Sequence, residues 1–227
     1  MFLGHFALGF AAKPLVPTVS LGTLLLSAQL VDLLWPTLLL MGLEQVRIEP
    51  GATAVVPLVF EHYPYTHSLL AVVGWALLVA VLHYALVRER RSALVLAALV
   101  LSHWLLDALV HRPDLPLVPG GSTLVGLRLW SSLTLTLALE VPLFMLGVWL
   151  YARSTQALDG VGRWGLVSLV LVLFVIYAGN MLGSPPPSVT VIAWMGQLQW
   201  LLVWWGYRVD RHRRPVAGGA QAAARAV

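Results

Sequence analysis

The sequence predicts an all-α membrane protein: a polytopic helix bundle with about six spans and a short N-terminal half-helix. Apolar residues make up 59% of the chain and charged residues 11%, whereas about 25% of the residues in soluble domains are charged. The apolar residues are gathered in runs of about 20, the length that crosses the hydrocarbon core of a bilayer. The basic residues stand in short clusters at the ends of these runs, which is typical of membrane proteins.

Six apolar stretches reach or approach the length of a span. They cover residues 15–43, 67–87, 93–111, 129–152, 164–183 and 189–207. The run from Phe2 to Ala12 is too short to cross alone, so we expect a half-span or an interfacial helix there. Because Pro17 and Pro36 interrupt the first long stretch, a break is expected near Asp32 to Pro36.

No segment is long enough to fold as a separate soluble domain. We therefore expect a single integral membrane domain over residues 1–214. The remaining residues, 215–227, are small and of low complexity, and this composition predicts a disordered C-terminal tail.

The arginine clusters predict the orientation of the bundle. Clusters at 88–91, 153–163 and 208–214 fall on one side of a six-span protein, and basic loops are retained in the cytoplasm. We therefore expect a multi-pass protein of the inner (plasma) membrane with a cytoplasmic C-terminus. The net charge of +4 is explained by these orientation charges, so nucleic acid is not expected as a partner.

Ionisable side chains inside apolar spans are the main functional candidates, because they are costly in a membrane and normally face a cavity or each other. His103 and Asp107 are four residues apart in the third span, so they lie on one face of a helix. His67 opens the second span and Asp32 lies toward the outer end of the first. Pairing of the second and third spans brings these side chains to one depth. Since the chain has no cysteine, such a cluster offers nitrogen and oxygen ligands, which suit zinc, manganese or another divalent ion.

Spacing alone leaves two alternatives open. The same residues could form a proton relay or coupling site in a transporter, or pack the helices of a non-catalytic membrane scaffold.

The order of the motifs resembles that of inner-membrane metal-dependent hydrolases of the YdjM/DUF457 type. The residues that carry the resemblance are GHFALGF with His5, Asp32 at the end of an apolar run, HYPYTHSLL with His62, Thr66, His67 and Ser68, and HWLLD with His103 and Asp107. The resemblance covers about residues 1–152. In motif order this family is similar to the group of zinc-dependent phospholipase C and P1 nuclease, which hydrolyses phosphoesters.

The resemblance implies one or two divalent ions, zinc in preference to manganese. Asp32, His67, His103 and Asp107 would hold one ion, and His5 with a bridging Asp107 would contribute to a second.

The expected function is therefore metal-dependent hydrolysis of a phosphoester in a membrane lipid or lipid-linked substrate, at the outward face of the membrane. Glu61, His62 or His111 could act as general base or acid. Arg112 or Arg128 could contact the phosphate.

Overall fold

The computed structural model describes residues 1–216. The fold is mostly helical. Its helices, in chain order, are α1 (Phe2–Ala11), α2 (Leu21–Leu40), α3 (Pro64–His67), α4 (Leu69–Val87), α5 (Arg90–Val110), α6 (Leu133–Ser154), α7 (Gly160–Leu182), α8 (Val189–Gln197) and α9 (Gln199–Arg211). Within residues 1–216, five of them, α2, α4, α5, α6 and α7, are long and apolar enough to cross a membrane.

Short β-ladders in the loops depart from the expected all-α class. Three antiparallel pairs form within residues 1–216. They are β1 (Gln45–Ile48) with β2 (Leu58–His62), β3 (Leu115–Pro116) with β4 (Leu124–Val125), and β5 (Thr155–Ala157) with β6 (Arg213–Pro215). The ladders form because loop backbones that leave a helix must still pair their N–H and C=O groups.

Helix α1 lies inside the bundle and not at its surface. Leu3, Phe6 and Phe10 are completely buried in the largest apolar core, which α1 shares with α2, α6, α7 and α9. Gly147 of α6 allows this close packing, because a methyl group there would overlap the backbone carbonyl of Ala7. The expected half-span is therefore a central element of the bundle.

The expected break near Asp32 to Pro36 is wrong, because α2 continues from Leu21 to Leu40. Proline lacks the amide that would bond the carbonyl four residues earlier, which here belongs to Asp32. The side-chain Nε2 of Gln199 donates to that carbonyl at 3.4 Å instead. Gly196 leaves room for the Pro36 ring. Partners from a distant segment thus keep the helix whole.

The sixth apolar stretch, 189–207, is not one helix. It forms α8 and α9, which meet at Leu198. Both helices pack on α2, and Gln197 Nε2 donates to Thr37 Oγ1 at 2.9 Å. The polar residues at this junction serve contacts to α2, and neither helix alone has the length of a span.

Helix α4 lies at the edge of the bundle, paired with α5. Among its residues Val72 and Ala76 are buried, whereas Leu86 is 84% exposed. A helix that is apolar all round yet mostly uncovered by protein suits a lipid environment. These features support an integral membrane protein.

The predicted tail begins too early at residue 215. Pro215 is the last residue of β6 and pairs with Thr155, so the folded part extends beyond residue 214. The rest of the predicted disordered tail, residues 217–227, lies outside the described residues.

Candidate metal centre

Four side chains from three helices meet at one end of the bundle. His67 Nε2 lies 3.5 Å from Asp32 Oδ1 and 3.8 Å from Asp107 Oδ2. His103 Nε2 lies 3.6 Å from Asp32 Oδ1 and 3.2 Å from Asp107 Oδ2. Tetrahedral ligands bound at ~2.0–2.2 Å from zinc are themselves ~3.3–3.6 Å apart. These four histidine–carboxylate separations lie close to that range.

The helices explain why these side chains converge. His103 and Asp107 lie one turn apart on the same face of α5, as their spacing predicts. Asp32 comes from α2, which packs against α5. His67 is the last residue of the single turn α3, immediately before α4 begins. The four side chains are thus neighbours in the fold, although Asp107 does not belong to the group of Asp32, His67 and His103 whose ligand atoms lie close enough together to share one ion.

Hydrogen bonding prepares His103 as a ligand. Its Nδ1 lies 2.9 Å from the carbonyl oxygen of Ala28, which can only accept, so Nδ1 carries a hydrogen and, in the neutral ring, Nε2 has the lone pair. Among the described residues His103 Nε2 has no hydrogen-bond partner although it is buried. A neutral imidazole nitrogen beside two carboxylates is a donor set that suits a divalent ion.

His5 lies on the far side of the Asp107 carboxylate. Its Nε2 is 3.1 Å from Asp107 Oδ1, and its ring stacks on that of His103 with centroids 3.6 Å apart. The amino group of Met1 donates to the same Oδ1 at 2.5 Å and forms an ion pair with it. Asp107 thus faces His5 with one oxygen and His103 with the other.

Two overlapping groups of residues could hold metal, and they compete. Asp32, His67 and His103 form one, and His5, His103 and Asp107 form the other. Both use His103, whose Nε2 lone pair can bind one ion. The two groups therefore could not each bind an ion through this nitrogen at the same time.

A cavity of about 140 Å³ opens beside the cluster. It is lined by Met1, Phe2, Asp32, Trp35, Leu58, Phe60, His67, Asp107, His111 and Trp130. Polar groups and large apolar side chains thus share the wall. Among the four clustered side chains Asp32 is the most exposed, with 23% of its side chain accessible.

His111 lines the cavity and is oriented by Asp114. His111 Nδ1 lies 3.0 Å from Asp114 Oδ1, and the Tyr63 hydroxyl donates to the same oxygen at 3.1 Å. Burial, with Asp114 nearby, raises the pKa of the Tyr63 phenol, which therefore stays protonated and donates. Because the carboxylate accepts from Nδ1, His111 Nε2 is free to accept a proton.

The other predicted catalytic residues lie elsewhere. Glu61 and His62 are at the exposed end of β2, where Arg47 Nε donates to Glu61 at 2.8 Å. Arg112 lies 3.9 Å from Asp114 Oδ2, and Arg128 is exposed at the start of a 3₁₀ turn. In the described part of the chain none of these four lines the cavity.

Three acidic residues near the centre have contacts that the sequence did not predict. Asp114 follows His111 by three residues, and that spacing was an available signal. Glu140 accepts from the backbone N–H of Leu3 at 2.9 Å and so caps the start of α1. Glu44 is 2% exposed and bonds the segment before His67. It stands in a loop where no periodic pattern applies, so its burial had no sequence signal.

Comparison with known protein families, with curated proteins and with solved structures finds no match for the chain.

Proposed function

We propose that the protein is a membrane-embedded, metal-dependent hydrolase that acts on a phosphoester of a lipid or lipid-linked substrate. The supporting observation is the convergence of Asp32, His67, His103 and Asp107 beside a cavity with partly apolar walls. A divalent ion bound there would lower the pKa of a water molecule and offset charge on phosphoryl oxygens. The phosphoester class itself comes from the motif resemblance.

One zinc ion is the form of the centre that we favour. The four ligands provide two imidazole nitrogens and two carboxylate oxygens, and the charge of the carboxylates balances that of the ion. His5 holds the outer oxygen of Asp107 at 3.1 Å and so orients the ligand. A partner of this kind strengthens a metal ligand without binding the ion.

His111 is the residue that we assign to proton transfer. It lines the cavity but belongs to neither group of potential ligands. Asp114 fixes its ring and its protonated nitrogen, as in other histidine–carboxylate pairs that act as general base or acid.

The cavity favours an amphiphilic substrate. Its volume of about 140 Å³ is below the ~300–1,000 Å³ typical of pockets that enclose a whole ligand. Only the reacting group of a larger molecule fits inside. Phe2, Trp35 and Trp130 on its wall offer apolar and aromatic contacts, and aromatic rings are common at the headgroup level of membranes. Acyl chains would remain in the bilayer.

A comparison of two substrates tests this function. In mixed micelles without any ion gradient, we expect metal-dependent turnover of a lipid phosphoester with a higher kcat/KM than for a short soluble phosphoester. Equal or greater kcat/KM on the soluble compound would reject the lipid assignment. Absence of turnover on either, in zinc-loaded protein, would reject the hydrolase and favour a transporter or scaffold.

Sidedness is a separate part of the proposal, in which the basic loops face the cytoplasm of the inner (plasma) membrane and the centre faces outward. Ser122 and Leu158 are exposed in loops at opposite ends of the bundle. In intact cells an impermeant thiol reagent should label a Ser122→Cys variant and leave Leu158→Cys unlabelled. The reverse pattern would invert the orientation.

A further inference from the structure

Glu44 stands behind His67 and is not a member of the ligand set. It lies in the loop between α2 and β1, with 2% of its surface exposed. Its Oε1 accepts from the backbone N–H groups of Tyr65 and Thr66, each at 2.8 Å. Its Oε2 accepts from the Thr66 hydroxyl at 2.7 Å. Both carboxylate oxygens are therefore committed to the segment that carries His67.

The direction of these bonds fixes the next one. Thr66 Oγ1 also lies 2.7 Å from His67 Nδ1. A hydroxyl has a single hydrogen, and that of Thr66 is directed at Glu44. Thr66 must then accept from His67, so Nδ1 carries the imidazole hydrogen. The lone pair of His67 is left on Nε2, the atom that faces Asp32 and Asp107 at 3.5 and 3.8 Å.

We propose that Glu44, acting through Thr66, is a positioning residue that selects the tautomer and ring orientation of His67. The chain from carboxylate to hydroxyl to imidazole presents the Nε2 lone pair to the two aspartates. Its role in metal binding rests on the proposed function, whereas the choice of tautomer is independent of it. The arrangement is the counterpart of the bond from His103 to Ala28 on the opposite side of the centre.

Substitutions of similar shape can break or preserve the hydrogen-bonded path from Glu44 through Thr66 to His67. Glu44→Gln places an amide N–H₂ next to Thr66, which turns the hydroxyl toward His67 and favours hydrogen on Nε2. Thr66→Val removes the hydroxyl with little change in volume, and Thr66→Ser retains it. Glu49→Gln is the matched control, because Glu49 directly follows β1, has 44% of its side chain exposed and pairs with Arg47.

The first readout is the tautomer of His67 in metal-free protein labelled with [15N]histidine, with the signal assigned by its loss in His67→Asn. We expect the Nδ1–H form in the wild type, Thr66→Ser and Glu49→Gln. Glu44→Gln and Thr66→Val should shift it toward the Nε2–H form. An unchanged tautomer in both of these variants would overturn the proposal. If Glu44 and Thr66 served only to pack the loop, their substitution would leave the tautomer of His67 unchanged.

The second readout is the affinity for Co²⁺, followed by its visible absorption bands. Loss of a partner behind a metal ligand weakens affinity about 10–100-fold, and we expect this in Glu44→Gln and Thr66→Val but not in Thr66→Ser. If Glu44→Gln and Thr66→Val both bound Co²⁺ with wild-type affinity, the link to metal binding would be overturned. If the wild type bound no Co²⁺ while the tautomer still switched, the proposed function would fail and the positioning role would stand.

Discussion

Two buried polar clusters lie near opposite ends of α1 and differ in how completely their groups are paired. In the cluster around Lys13, just after the end of α1, Lys13 Nζ donates to Asp210 Oδ2 at 2.7 Å and to the Val19 carbonyl at 2.8 Å. The Tyr151 hydroxyl donates to the other oxygen of Asp210 at 2.8 Å. One cation and one anion thus meet with their main hydrogen-bonding positions filled, and the cluster ties the loop after α1 to α6 and α9.

The cluster around Asp107 is less completely paired, although the amino group of Met1 forms an ion pair with Asp107 Oδ1 at 2.5 Å. Asp32 and Asp107 face two histidines, and His103 Nε2 has no hydrogen-bond partner within residues 1–216. A cavity adjoins it. Buried polar groups are normally satisfied, and this unpaired nitrogen beside two carboxylates is an observation that supports the proposed metal centre. The comparison separates a structural ion pair from a candidate site with the same residue types.

The largest effect is expected from the ligands. His103→Ala or Asp107→Asn should abolish metal retention and activity, while the apolar spans keep the bundle inserted and folded. The matched control is Asp159→Asn, because Asp159 also contacts a histidine, His212 at 2.7 Å, but is exposed. Asparagine also preserves its role as N-cap of α7. Metal content and turnover of the purified variants provide the test, and full occupancy in one variant would remove that residue from the ligand set.

A smaller effect is expected from His111. His111→Asn should lower kcat about 10²–10⁴-fold, the usual contribution of a general acid or base. Metal affinity should be unchanged because His111 is not in either potential ligand group. Kinetics and metal titration on the same preparation check both parts. A parallel loss of metal would make His111 a ligand.

The smallest effect on the candidate metal centre is expected from a change in the cluster around Lys13. Lys13→Met leaves Asp210 without its cation, and removal of one member of a buried ion pair costs about 3–5 kcal/mol of stability. Unfolding in detergent should show this loss, while metal affinity and kcat stay at the wild-type level. Adding Asp210→Asn should recover part of the stability. Loss of metal in Lys13→Met without loss of stability would contradict the distinction between the clusters.

The sequence was sufficient for the parts of the centre that depend on helical spacing and depth. The interval between His103 and Asp107 and the apolar boundaries around His67 and Asp32 predict their meeting. Contacts between residues far apart in the sequence could not be predicted from spacing and depth. The continuity of α2 at Pro36 depends on Gln199, which follows Asp32 by 167 residues.

Loop residues show the same limit. Glu44 and Glu61 both lie in the segment between α2 and α3. The sequence favoured Glu61 as the functional acid because it adjoins His62. The ladder of β1 and β2 leaves Glu61 exposed beside Arg47, whereas Glu44 is buried against Thr66. Strand register decides which acid is buried, and a short irregular loop gives no periodicity from which to predict it.

The most direct test of the central claim is zinc binding by the purified protein. After metal removal and titration with zinc, elemental analysis should find about one tightly bound ion per chain, as a four-ligand site requires. The double variant His103→Ala/Asp107→Asn should retain none. A wild-type protein that is folded yet binds no zinc, or a double variant that binds it equally well, would contradict the assignment of this cluster as a metal centre.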